Sequence, residues 1–136
     1  MLEMNGVCKS LEKYEDDQGL NFDVQQLPGE IATLSVVVNG VEELPIYISS
    51  TDEEVLTVCH LFDINEVKPE LEAEMNRAML TMNVPMPLSS FGIVGSQYVV
   101  FGALSASSDI DELVHELITL SANSVDAIEA LSDYLK

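Results

Sequence analysis

Between residues 20 and 63 the apolar residues recur at every second position, and turn residues interrupt them at intervals. A period of two is the signature of strands, because successive side chains leave opposite faces of the backbone. Phe22-Asp23-Val24-Gln25-Gln26 runs into Pro28-Gly29, and Ile31 to Val38 ends at Asn39-Gly40, a strong hairpin signal. Leu44 to Ile48 follows, then the polar Ser49 to Glu53, then Val55 to Phe62. This pattern predicts an antiparallel meander of four strands. Pro45 has no N–H to donate, so the third strand is either an edge or starts its ladder after that residue.

Helical periodicity flanks the meander. Val7, Leu11 and Tyr14 predict a short first helix from Asn5 to about Tyr14, frayed because Glu15-Asp16-Asp17 places negative charge at its C-terminal end. Pro69 opens a second helix with Leu71, Met75, Ala78, Met79 and Met82 on one side, and Pro85 and Pro87 end it. Leu88 to Val94 and Gln97 to Leu104 form a second hairpin around Gly95-Ser96. Gly92 and Gly102 lie inside these strands, where a missing side chain marks a bulge or a close approach of other atoms. Ser108 or Asp109 caps the last helix, whose apolar face continues from Ile110 to Leu135. Ser121-Ala122-Asn123-Ser124 interrupts it with weak helix formers and predicts a bend or break. The fold class is therefore α+β: helix, antiparallel meander, helix, two-stranded hairpin and long C-terminal helix, in a single domain over residues 1–136.

Charge restricts the function. The 136 residues hold 24 Asp and Glu against 5 Lys and Arg, a net charge of −19. A nucleic-acid binder clusters its basic residues against phosphates, whereas Lys9, Lys13, Lys68, Arg77 and Lys136 stand singly. Nucleic acid and anionic membrane surfaces are thus excluded as partners. The chain still has the material for a core, since 47% of its residues are apolar. The N-terminus lacks the basic and apolar regions of a signal peptide, and no apolar run reaches the roughly 20 residues of a membrane span. A cytoplasmic protein is expected, and two cysteines without a CxxC pair fit a reducing compartment.

Catalytic and metal patterns are absent from the sequence. Cys8, Cys59, His60 and His115 have no zinc spacing, and Cys59 and His60 should leave opposite faces of one strand. The serines of residues 88–92 and 104–108 form no nucleophile elbow, and the glycines make no phosphate loop. No enzyme activity, cofactor or metal is expected. An enzyme would require Cys59, His60 and His115 to converge.

The residues favour protein binding instead. Residues 55–62 and 98–103 are apolar on both strand faces, whereas an antiparallel sheet commonly has one polar face. Either helices cover both sides, or one side meets another chain, whether a client or a second copy in a homodimer. Leu56, Val58, Phe62, Tyr98, Val100 and Phe101 are the strand candidates for that contact, with Met79 and Met82 as adaptable helix candidates. A different reading is an acidic nucleic-acid mimic or regulator that occupies a basic protein surface.

Leu88-Ser89-Ser90-Phe91-Gly92-Ile93, Phe101-Gly102-Ala103-Leu104-Ser105, the Glu43-Leu44-Pro45-Ile46 strand and Glu116 to Asn123 resemble the YjfI-like family of small bacterial proteins, a domain of unknown function. The resemblance supplies no catalytic residues. It implies an envelope-stress partner, a phage-shock-protein-A-like protein. The order of elements also resembles, more loosely, that of class I type III secretion chaperones and YbjN-like proteins. Those chaperones are dimers that hold extended clients along apolar grooves, which implies a chaperone-like accessory module.

Overall fold

The alternating segments form one sheet. In the computed structural model, which describes residues 2–136, β1 (Phe22–Leu27), β2 (Thr33–Val38), β3 (Ile46–Ser50) and β4 (Glu54–Asp63) pair in sequence order. The hairpin β5 (Ser90–Val94) and β6 (Gln97–Ser105) joins through β6, giving the antiparallel order β1-β2-β3-β4-β6-β5. Gly40 turns the chain after β2 with a φ of 92°, a left-handed conformation that favours glycine. The hairpin it begins is wider than a two-residue turn. Strand β3 opens at Ile46, one residue past Pro45, and lies inside the sheet, so the ladder starts where N–H donors resume.

Three helices pack on one face of this sheet. Helix α1 (Met4–Lys13) buries Met4, Val7, Cys8 and Leu11 against β1, β2 and the C-terminal helix. Its last turn holds the buried Leu11, and the acidic run Glu15-Asp16-Asp17 lies beyond the helix. Asp16 there accepts hydrogen bonds from the N–H groups of Gln18 and Leu20. A 3₁₀ turn at Pro69–Leu71 leads into α2 (Glu72–Asn83), which packs beside β5.

Helix α3 (Ile110–Leu131) crosses β2, β4 and β6 without a break at residues 121–124. The serines that weaken helix propensity are here the contact surface. Ser121, Ser124 and Ala127 are all buried, and their small side chains let the helix approach the sheet. Ser124 Oγ donates to the Leu120 carbonyl one turn back, so its hydroxyl is satisfied within the helix. The helix stops at Leu131, and Leu135 instead bridges to Val67, tying the C-terminal residues to the segment before α2. Asp109 caps α3 by accepting from the Glu112 N–H at 2.8 Å. Asp109→Ala should lower the stability by about 1 kcal/mol, measurable as a shift in the urea midpoint.

Candidate functional site

Strand alternation divides the sheet into a covered and an uncovered face. Val55, Thr57 and Cys59 of β4 pair with Leu104, Gly102 and Val100 of β6, and with Ile46 and Ile48 of β3, beneath the helices. The next residues along the same strands point the other way. Leu56, Val58 and His60 stand beside Ala103, Phe101 and Val99 across one ladder, and Val58 stands beside Tyr47 across the other. Val37 of β2 lies on the same side, through its neighbour Ser35 opposite Tyr47.

No helix covers these residues, and they pack on one another. Val99 is 1% exposed yet takes no part in the core beneath the helices. The Phe101 ring lies over Gly92, where an added Cβ would come within 2.9 Å of its Cε1. Tyr47 meets His60 edge to face at a centroid separation of 5.6 Å. The middle of this face holds apolar side chains, one imidazole and the small hydroxyls of Ser35 and Ser49. Its carboxylates, Asp23, Glu54 and Asp63, stand on the edge strand and at the two ends of β4.

The sequence candidates divide between the two sides. Leu56, Val58 and Phe101 belong to the uncovered face, each half-buried. Tyr98, Val100 and Phe62 are on the covered face and nearly inaccessible, and Met79 is buried beneath α2, so these four are core residues and not contact residues in this fold. Phe62 departs from simple alternation because the ladder slips between His60 and Phe62. The slip turns its ring to Tyr98, 5.4 Å away, and Tyr98 donates its hydroxyl hydrogen to Asn76 Oδ1 of α2 at 3.0 Å. Met82 is half-buried and lines a groove between the α2–β5 loop and α3. Val99, Tyr47 and Val37 complete the uncovered face and were not among the candidate contact residues. Alternation from Phe101 and Val58 would have found them once the strand neighbours were known.

The residues with chemical potential are kept apart. Cys59 is fully buried beneath α3, and burial pushes its thiol above the ordinary value, an effect Ser124 opposes. His60 is exposed on the opposite face, and His115 is exposed on α3. Cys8 is also raised by burial and donates weakly to Glu12 on its own helix. Among the described residues, no three of His, Cys, Asp and Glu gather as metal ligands. Asp63 is held below the usual carboxylate range by hydrogen bonds from the Asn65 N–H, Ser96 and Gln97, which fasten the end of β4 to the β5–β6 turn.

Among the described residues, one carboxyl group lies inside the fold. Glu116 of α3 is 2% exposed, and its Oε1 has no hydrogen-bond partner. It occupies the space that a side chain at Gly102 would fill, beside the Leu88 carbonyl. Burial raises its carboxyl above the ordinary value, and the neighbouring His115 pulls it partly back.

Residues 3–135 match the model of a family described as "Uncharacterized protein conserved in bacteria (DUF2170)". The chain belongs to this family. It is 30% identical over 106 residues to the uncharacterized protein YjfI of Escherichia coli strain K12, covering 74% of this chain and 77% of that one. The same figures hold for YjfI of Escherichia coli O157:H7. Among solved structures, an uncharacterized protein from Methanothermobacter thermautotrophicus shares the fold, with a TM-score of 0.62 and 17% identity over 96% of this chain and 99% of that one. A chain in the crystal structure of the ExsC-ExsE complex aligns with a TM-score of 0.45 and 12% identity, over 91% and 92% of the two chains. For the described residues, no helix is long and apolar enough to cross a membrane.

Proposed function

We propose that this protein is a non-enzymatic, cytoplasmic protein-binding module, a chaperone-like accessory that receives an apolar segment of a protein partner on the uncovered face of its sheet. The observation that carries this reading is the patch of Leu56, Val58, Tyr47 and Phe101, which no helix covers and which packs over the buried Val99. An apolar surface bordered by charge excludes water on binding, and the border selects the partner. With −19 overall, that border favours a partner whose apolar segment is flanked by Lys or Arg. The family resemblance suggests a phage-shock-protein-A-like protein as this partner.

Titration of the purified chain with a purified phage-shock-protein-A-like protein from the same cell, followed by calorimetry, tests the reading. Binding with a negative heat-capacity change is expected, and Val58→Glu should weaken it by about tenfold or more in protein that circular dichroism shows still folded at the temperature of the titration. Stoichiometric recovery from native cells, identified by mass spectrometry, extends the test to other partners. If neither route yields a partner, or if Val58→Glu leaves binding unchanged, the uncovered face is not a docking face. The acidic-mimic reading makes the opposite salt prediction: its complex would fall apart steeply with added salt, whereas an apolar contact would largely survive.

A further inference from the structure

The loop from Val84 to Ser89, between α2 and β5, lies against α3 at its last residues. Leu88 there has a φ of 62°, and among the described residues it is the one non-glycine with a positive φ. A residue with a Cβ pays for that left-handed conformation and keeps it only where its surroundings impose it. The Leu88 side chain is 51% exposed, so its burial does not impose it. Contacts to polar atoms of the loop do. Asn123 of α3 donates to the Pro87 carbonyl at 2.9 Å and to Ser89 Oγ at 3.1 Å, one residue to either side of Leu88. Glu116 lies seven positions earlier, on the same side of the helix. Its Oε1 sits over Gly102, at a point that the Leu88 carbonyl oxygen also borders.

Two oxygens sharing such a spot are compatible when one of them carries a hydrogen. A carbonyl and an ionised carboxylate only accept, whereas a protonated carboxyl has an O–H to donate. Oε1 has no hydrogen-bond partner, and Thr57, opposite Gly102 in the ladder, spends its hydroxyl on the Gly102 carbonyl at 3.1 Å. The surrounding elements bring no cation to an ionised Glu116. Residues 78–108, which supply the loop, β5 and β6, contain no Asp, Glu, Lys, Arg or His, and Tyr98 among them is turned to Asn76. Cys59 of β4 lies toward Ser124, two turns along α3. Lys9, Glu12 and Lys13 of α1 are exposed, and Cys8 is turned to Glu12. On α3 itself, the adjacent His115 and Glu112 one turn back are both exposed.

We propose that Glu116 latches this loop: its neutral carboxyl donates to the Leu88 carbonyl and holds Leu88 in the left-handed conformation, and its ionised carboxylate releases Val84 to Ser89. Pro85, Met86 and Pro87 form one wall of a groove of about 300 Å³, completed by Phe91 of β5 and by Asn123 and Ala127 of α3. Protonation keeps that wall in place, and ionisation frees it. The latch lies beneath the helices, apart from the uncovered face, so its failure leaves the partner-binding reading standing.

NMR of the full chain between pH 4 and pH 8 tests it. The Leu88 carbonyl carbon should titrate together with the Glu116 carboxyl carbon, at one midpoint. Amide protection at residues 88–91, corrected for the intrinsic pH dependence of exchange, should fall across that midpoint by about tenfold or more beyond any change at Val7 and Leu11 of α1. Glu116→Gln, neutral and able to donate at every pH, should keep the loop protected and the Leu88 profile flat. Leu88→Gly, which adopts the left-handed conformation freely, should shrink the step. The proposal is overturned if Glu116 does not titrate in this range, or titrates without the Leu88 carbonyl. It is equally overturned if the loop and α1 lose protection alike, or if the step survives in Glu116→Gln.

Discussion

Gly102→Ala should destabilise the fold by about 2 to 3 kcal/mol, a large effect for the addition of one methyl group. The new Cβ would overlap Glu116 Oε1, and it would lie 3.0 Å from both the Glu116 Cδ and the Leu88 carbonyl oxygen. The first obstacle is a side chain, but one buried between α3 and β6, and the second is backbone. Moving either disturbs the seam that holds the longest helix to the sheet. Urea unfolding of Gly102→Ala, Glu116→Ala and the double variant checks the cause. The double variant should be at least about 1 kcal/mol more stable than the sum of the two single losses, since removing the carboxyl makes room for the methyl. If Gly102→Ala costs only a few tenths, the Glu116 side chain swings freely into solvent and the seam is not tightly packed.

Glu116→Gln should make the protein more stable at neutral pH, by about 1 to 2 kcal/mol. The native carboxyl titrates above its ordinary value of 4.5, so the folded chain holds this proton more tightly than the unfolded chain does. The stability that protonation confers is complete below the unfolded value and is lost as pH rises through the folded one. Glutamine keeps the group neutral at every pH, and the Leu88 carbonyl borders the same spot as an acceptor for its amide. The stability difference between variant and wild type should therefore be smallest near pH 4 and grow toward pH 7. Repulsion among the many exposed carboxylates changes both proteins alike and cancels in the difference. A difference that stays constant across this range would show that Glu116 ionises in the fold without penalty.

Much of the architecture was legible because backbone geometry translates directly into residue spacing. The alternation through Val55-Leu56-Thr57-Val58-Cys59, the turn residues, Pro69 at the start of the second helical segment and the Asp109 cap each act within a few residues of themselves. The errors arose where a local signal has two physical uses. Ser121 and Ser124 are weak helix formers in isolation, but inside α3 they are small residues at a close helix–sheet contact, and burial outweighs propensity there. Leu135 fits the helical period of α3, yet pairing with Val67 takes it out of the helix. The apolarity of both faces in β4 and β6 was visible as composition. Which face would be covered was not, since Tyr98 and Val99 are equally apolar neighbours.

The sequence by itself determined the elements, their order, the family and a net charge of −19, because these depend on local spacing and on sums over residues. Only the tertiary structure decided that all three helices share one face, that the slip after His60 turns Phe62 into the core, and that Glu116 is buried over Gly102. Those outcomes depend on which strands become neighbours. The pairing of β4 with β6 joins residues more than 30 positions apart, such as His60 and Val99, through contacts that neither segment encodes alone.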